Sequence, residues 1–363
     1  MRSFYDMVIA TQLQPVSLGI IGCGVIGKVH LQHASQSPLI RLQAVADVRE
    51  AVACEAVEKF GVARMYTDPD ALLRDSRVEA VVLALPTAGR AELALRALAC
   101  GKDVLVEKPV GMNAAEVRRM MAARGDRVVG CCQSRMRHNP AAQVATQFIG
   151  GGGLGDLRLV RCRASSAGGP PPARPAPSWR LNKLLNGGGI LMNWGSYDLD
   201  YLLGLTRWKL KPRHALAQTW PVPPAFAGNV APGSDAETHA AALITCEGGT
   251  VISIERGEHM PAVTDEAWQI IGSKGALRLP MIPGQNKKLL FDEAVAGTGV
   301  VTRTLWEGED SWDDGHRGVL ADFVAAVRER RPPLASLEQA LVVQQITDAI
   351  YASAETGAAV EIN

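Results

Sequence analysis

The pattern that most restricts this chain is an apolar strand that runs straight into a glycine turn. Val16-Ser17-Leu18-Gly19-Ile20-Ile21 is of buried-strand type, and Gly22-Cys23-Gly24-Val25-Ile26-Gly27 follows without a break. An amphipathic stretch carrying Val29, Leu31 and Ala34 comes next, so G-x-G-x-x-G stands between a strand and a helix. Its glycines have separate tasks. Gly22 permits the tight turn, Gly24 lets the backbone approach a pyrophosphate, and Gly27 lets the helix pack on the strand. The amides about Val25 and Ile26 then face the phosphates of a dinucleotide.

A second strand, Leu42-Gln43-Ala44-Val45-Ala46, ends in Asp47, 20 residues beyond Gly27. A carboxylate there accepts hydrogen bonds from ribose hydroxyls and repels a 2′-phosphate, so NAD is favoured over NADP. Arg49, two residues on, leaves NADP open as a second cofactor. Helices are predicted at 51–60, 69–75 and 90–99, alternating with strands at 63–66, 80–85 and 127–132. That alternation predicts a parallel, doubly wound sheet buried on both faces.

One more strand, Val104-Leu105-Val106, ends in Glu107-Lys108-Pro109. Proline disfavours the helical conformation for the residue before it, so Lys108 is predicted to be extended at the carboxyl end of the strand. Taken alone, Glu107 and Lys108 read as a solvated charge pair. After a dinucleotide fingerprint, they read as an amine presented where ligands of open α/β sheets sit.

Composition removes several classes of function. Lys plus Arg number 38 against 37 for Asp plus Glu, which gives no global charge to recruit nucleic acid or anionic lipid. Seven scattered cysteines form no C-x-x-C pair, which favours reduced thiols in a cytoplasmic protein over a zinc ribbon or disulfide framework, and no metal site is predicted. Residues 1–14 lack an apolar run of signal-peptide length, and no stretch approaches the roughly 20 apolar residues of a membrane helix.

Beyond 157 the reading changes from regular alternation to strands without intervening helices: 157–164, 214–220, 238–246, 250–256, 267–271 and 275–279. This predicts an α+β domain with a large open, mostly antiparallel sheet. Between its first two strands, Ser165 to Pro177 carries Gly168-Gly169-Pro170-Pro171-Pro172 and reads as an exposed extended loop. Residues 190–205 read as a helix on which Asn193 and Tyr197, four apart, share a face. Two more helices are predicted at 318–328 and 336–356. The expected domains are 15–135, an N-terminal Rossmann domain; 136–335, an α+β substrate and oligomerisation domain; and 336–363, a closing helix and tail that brace the first.

The ordered set of motifs resembles the glucose–fructose oxidoreductase / inositol dehydrogenase / MocA (Gfo/Idh/MocA) family over nearly the whole chain after Gln14. The set comprises the glycine fingerprint, Leu85-Pro86-Thr87, Glu107-Lys108-Pro109 and Arg137-His138-Asn139-Pro140. Gly187-Gly188-Gly189-Ile190-Leu191-Met192-Asn193, Asp322-Phe323 and the closing segment Ile350 to Gly357 complete it. The resemblance implies a cofactor site of Gly22, Gly24, Val25, Ile26, Gly27, Asp47, Arg49, Leu85, Pro86, Thr87, Glu107 and Lys108. Trp179, Arg180 and His316 would reach the cofactor as well. It implies catalysis by Lys108 with Tyr197 and Asn193, and substrate binding by Lys108, Arg137, Asn193 and Tyr197. Relatives place Asp and His where this chain has Asn193 and Tyr197, and many place His where it has Arg90. Tyr remains a proton donor and acceptor, whereas Asn can hold a hydroxyl but cannot take a proton.

The resemblance thus implies an NAD(P)-dependent oxidoreductase acting on a sugar, cyclitol or glycoside. It also implies a homodimer or homotetramer formed through the C-terminal sheet, with no nucleic-acid or membrane partner. Two other readings fit the same motifs: a glycosidase or lyase that oxidises the sugar transiently with NAD, and a sugar-sensing regulator without turnover.

Overall fold

The computed structural model describes residues 14–363. The reading of residues 1–14 as lacking a signal segment lies, but for Gln14, outside the described residues. The chain forms two compact units. One runs to Gly111 and adds Ala115–Gln133 and Gly315–Ala340; the other takes Met112–Ala114, Ser134–Asp314 and Leu341–Asn363.

In the first unit the elements alternate in the order β1 (Val16–Ile21), α1 (Val25–Gln36), β2 (Ile40–Ala46), α2 (Glu50–Phe60), β3 (Met65–Tyr66) and α3 (Pro69–Leu73). Then come β4 (Ala80–Leu83), α4 (Arg90–Ala99), β5 (Asp103–Val106), α5 (Ala114–Ala123) and β6 (Val129–Cys131). The strands form one sheet in the order β3-β2-β1-β4-β5-β6, and every pairing is parallel. Every residue of β1, β4, β5 and β6 is buried, as a sheet covered on both faces requires. Strand order reverses between β1 and β4. Their carboxyl ends flank the crevice where such sheets take ligands.

The second unit holds α6 (Pro140–Gly150), β7 (Leu157–Ala167), α7 (Lys183–Asn186), a π-turn at Leu191–Gly195 and α8 (Ser196–Leu205). Strands β8 (Pro212–Trp220), β9 (His239–Cys246), β10 (Val251–Met260), β11 (Asp265–Gly272) and β12 (Gly275–Leu279) follow. The last elements are β13 (Lys287–Val295), β14 (Gly299–Gly308), α9 (Trp312–Glu329), α10 (Leu337–Thr356) and β15 (Val360–Glu361). Nine strands pair in the order β14-β13-β12-β11-β7-β10-β9-β8-β15, antiparallel except β7 with β10. One face of this sheet buries Val160, Ile244, Ile252, Ile270 and Leu277 against Leu199, Leu202 and Leu203 of α8. The hairpin β13–β14 was not among the expected strands; Gly297 and Gly299, both at positive φ, turn it.

The expected assignment of the last helices is reversed. From Gly315 onward α9 belongs to the first unit, where Val319, Leu320, Phe323 and Val324 join the core of β1 and α1. From Leu341 onward α10 belongs to the second, where Val343, Ile346, Ala349 and Ile350 join the core of the large sheet. An apolar stripe at helical spacing states that a face is buried, and both helices have one. The stripe does not state which sheet receives it. For α9 the receiving surface is shaped by Gly130 of β6, where a Cβ would stand 3.1 Å from a ring carbon of Phe323.

Phe323 is 1% exposed in this contact. Phe323→Ala is expected to destabilise the first unit by about 3–5 kcal/mol, read as a lowered midpoint in denaturant unfolding followed by circular dichroism.

Candidate functional site

The glycine loop closes β1 onto α1 for reasons of space. Gly22 has φ +94°, and a Cβ there would lie 2.4 Å from the carbonyl oxygen of Ala84. A Cβ on Gly27 would lie 1.9 Å from the carbonyl oxygen of Gly22, so only glycine lets α1 approach the turn. Gly24 is different: a Cβ on it meets nothing within 4 Å. Nothing in the protein requires glycine there, and the missing side chain leaves the backbone open to close approach. Helix α1 has no side-chain cap and no acidic residue in its first turn, so its leading amides remain available to an anion. Val25 is 89% exposed beside them. These features fit a dinucleotide, whose pyrophosphate would lie against Gly24, Val25 and Ile26.

Asp47, at the end of β2, is fixed rather than mobile. Its Oδ2 accepts from the Cys23 amide at 2.9 Å, and its Oδ1 accepts from the Arg49 amide at 3.0 Å and from Arg49 Nε at 3.3 Å. Burial pushes this carboxyl up, but the two amides and the Arg49 guanidinium outweigh it and hold it below its ordinary value. Asp47 is therefore ionised at neutral pH. The same contact makes it a brace for the loop it serves.

At the ends of β4 and β5 the organiser is Arg90. It is 2% exposed. Its Nε donates to the Leu85 carbonyl at 3.1 Å and its Nη1 to the Glu107 carbonyl at 2.8 Å; Nη1 also reaches the Pro109 carbonyl and Nη2 that of Leu85. Burial lowers this guanidinium to about 10, so it remains a cation at neutral pH. Arg90 thus ties the segment of Leu85, Pro86 and Thr87 to the segment of Glu107, Lys108 and Pro109. Sequence reasoning had no account of this residue. A signal was present: Arg90 is the first residue of α4, where a cation opposes the helix dipole and must be held by other contacts.

The carboxylate of Glu107, expected at the cofactor, is turned inward. It is 3% exposed, lies 2.7 Å from His30 Nε2 on α1 and accepts the Lys108 amide at 3.0 Å. It holds the backbone of Lys108, whose own side chain is half-buried. His30, also unforeseen, lies on the buried face of α1, one turn past Gly27. His316 packs on α1 too, stacked on His33 with ring centroids 6.3 Å apart.

In the second unit the glycine run 187–189 leads into the π-turn. A Cβ on Gly189 would lie 1.8 Å from the Glu237 carbonyl oxygen, and one on Gly188 would lie 2.0 Å from the Tyr351 hydroxyl. The Glu237 carboxylate accepts from the amides of Gly189 (2.9 Å) and Leu191 (3.1 Å) and from the Tyr351 hydroxyl (2.8 Å). These bonds fix the start of the helical segment that carries Asn193 and Tyr197. The expected helix over 190–205 is present, but its first turn is of π type: Asn193 lies in the π-turn and Tyr197 in α8. Single π-turns are frequent at functional sites.

Tyr197 is 5% exposed, and its hydroxyl oxygen accepts from Arg135. Trp194 meets its ring edge-on at 5.6 Å. Arg137, expected at the substrate, has neighbours of its own in this unit. Its guanidinium makes a paired contact with Asp200 (2.6 and 3.1 Å) and lies over the Trp208 ring, so it anchors α8. One arm of Arg180, expected at the cofactor, donates from Nη2 to Glu258 at 2.6 Å, and Trp179 beside it is half-buried.

The two kinds of glycine can be separated by substitution. Gly24→Ala is expected to leave the melting temperature unchanged while weakening NAD binding at least about tenfold. Gly27→Ala is expected to lower the melting temperature itself. Calorimetric NAD titration beside thermal unfolding checks both.

Comparison with known proteins agrees with this geometry. Residues 16–130 match the family described as "Oxidoreductase family, NAD-binding Rossmann fold", and residues 142–278 match the "GFO/IDH/MocA C-terminal domain". The chain is similar to the D-glucoside 3-dehydrogenase of Escherichia coli, 27% identical over 96% of this chain and 98% of that one. It is also similar to the myo-inositol 2-dehydrogenase of Thermotoga maritima, 24% identical over 88% and 91% of the two chains. Its fold is shared with a levoglucosan dehydrogenase solved with NADH and L-sorbose, at a TM-score of 0.82, 22% identity and coverage of 96% and 99%. The chain therefore belongs to the Gfo/Idh/MocA oxidoreductase family and carries that family's NAD-binding Rossmann domain.

Proposed function

We propose that this protein is an NAD-dependent dehydrogenase, or a reductase in the reverse direction, acting on a CH–OH carbon of a sugar, cyclitol or glycoside. One observation carries the reading. The space beside Gly24 and the fixed carboxylate of Asp47 suit NAD, in a chain whose relatives over nearly full length are named as dehydrogenases of glucosides and inositol. NAD supplies the hydride acceptor when bound.

The remaining chemistry belongs to this chain. Lys108, its backbone held by Glu107 and Arg90, places an ammonium that lowers the cost of removing the substrate's hydroxyl proton. Tyr197 takes that proton or returns it. Asn193 orients a neighbouring hydroxyl as donor or acceptor. The fixed Asp47 supports NAD over NADP, and the exposed Arg49 is the group through which NADP would be tolerated. The glycosidase reading is not favoured, since the relatives named are dehydrogenases. Retention of Lys108 and Tyr197 argues against a regulator without turnover.

The same reading makes the protein a cytoplasmic homo-oligomer. Leu216 and Leu243 pair across β8 and β9, each 52% exposed on the sheet face away from α8, and Trp220 is 42% exposed on the same strand as Leu216. Apolar pairs of this kind suit a self-complementary interface. No helix among the described residues is long and apolar enough to cross a membrane.

Lys108→Ala is expected to lower turnover by about 10²- to 10⁴-fold while NAD binding stays measurable. NADH absorbance with a panel of sugars and inositols checks this, and near-normal turnover in the variant would end the mechanism. Leu243→Glu is expected to reduce the assembly to a smaller species in sedimentation analysis.

A further inference from the structure

Arg135 is absent from the roles derived so far, yet it is among the largest fully buried side chains of the described residues. It lies in the 3-10 segment Cys132–His138 that follows β6. One of its Nη atoms donates to the Tyr197 hydroxyl oxygen, and its guanidinium carbon stands 5.7 Å from the centre of the Tyr197 ring.

The charges around Tyr197 in this unit are arranged in pairs. Asp200 is held by both arms of Arg137. Asp198, fully buried, lies 3.1 Å from Arg256 Nε and accepts from Trp268 Nε1 at 2.9 Å. Arg256 also stacks on Trp194, 4.5 Å from its ring centre, and Trp194 in turn meets the Tyr197 ring edge-on. The two carboxylates of α8 nearest Tyr197 thus have guanidinium partners of their own. Arg135 is the cation whose hydrogen bond goes to the phenol.

We propose that Arg135 is a positioning residue that holds the Tyr197 phenol and favours its ionised form, making Tyr197 the base that takes the substrate's hydroxyl proton. The inference rests on the reading of Tyr197 as the proton-handling group, and it deepens that reading. Two effects oppose each other at the phenol. Burial disfavours a phenolate, while a cation in hydrogen-bond contact favours it by about one to three pH units. The cation prevails because its N–H hydrogen-bonds the phenol oxygen directly, a bond that strengthens as that oxygen gains charge.

The proton step then balances simply. The substrate O–H bond breaks, its proton forms the O–H bond of Tyr197, and the phenol gives that proton to solvent before the next turnover. Asn193 has no part in it, being unable to accept a proton. The phenolate fraction grows with pH, so a depressed phenol value brings the active form to lower pH. Removing the cation must therefore displace activity toward higher pH.

The test is a titration of the tyrosinate absorbance band in the full-length protein against Tyr197→Phe. The difference is expected to titrate at least about one pH unit below the ordinary phenol value of about 10. In Arg135→Met it is expected to move back to that value or above, and Arg135→Lys, which keeps the charge, is expected to retain part of the shift. The acidic limb of kcat/KM should move upward with it, about a tenfold loss per unit on that limb. A Tyr197 that titrates at the ordinary value in the wild type, or identically in wild type and Arg135→Met, overturns the inference whatever the turnover. Should Arg135→Met fail to fold, the wild-type difference and Arg135→Lys decide the matter. Undiminished turnover in Tyr197→Phe would instead overturn the underlying reading, and the titration would still report on Arg135 separately.

Discussion

A single buried guanidinium gathers the carboxyl ends of two strands. Arg90 reaches the carbonyl oxygens of Leu85, Glu107 and Pro109, three acceptors that would otherwise be buried beside the first sheet with fewer donors. Because the contacts are to backbone, they set the path of the chain rather than the direction of one side chain. The segment bearing Lys108 is held from a second side by Glu107, whose carboxylate bonds both the Lys108 amide and His30. A lysine on so braced a segment keeps its flexible stem while its origin is fixed. The loss of either brace would move the amine before it touched the chemistry.

The glycine loop shows the same economy of contacts. Asp47 accepts from the Cys23 amide, so the carboxylate at the end of β2 also shapes the glycine turn. Gly22 and Gly27 are required by the protein's own carbonyl oxygens. Gly24 meets no such contact, so its backbone stays open to close approach, as a loop that takes a pyrophosphate needs.

In the second unit, burial and charge are reconciled by pairing. Helix α8 is buried along its whole length yet carries Asp198 and Asp200, which are tolerated because Arg256, Trp268 and Arg137 meet them. Burial raises the Asp198 carboxyl, and Arg256 and Trp268 hold it back. A buried charge left alone would cost several kcal/mol, so these partners are conditions for the helix to exist where it does. Tyr197 sits within this arrangement, and its contact with Arg135 continues the pattern.

The sequence by itself determined the parallel sheet, the glycine turn, the position of Asp47 and most strands of the second sheet. Each follows from a local rule: side-chain period, turn chemistry, or a motif whose spacing is fixed along the chain. Only the tertiary structure decided which sheet received α9 and which received α10, because an apolar stripe does not name its partner. It alone revealed the contacts of Arg90, His30 and Arg135, whose bonds join residues 17, 77 and 62 positions apart. It alone showed that Arg137 pairs with Asp200 and that Glu107 meets His30, since a charged side chain in a motif looks the same whether it faces a ligand or a buried counter-charge. Sequence displays which groups can form hydrogen bonds, and the folded chain decides which of them have already been used.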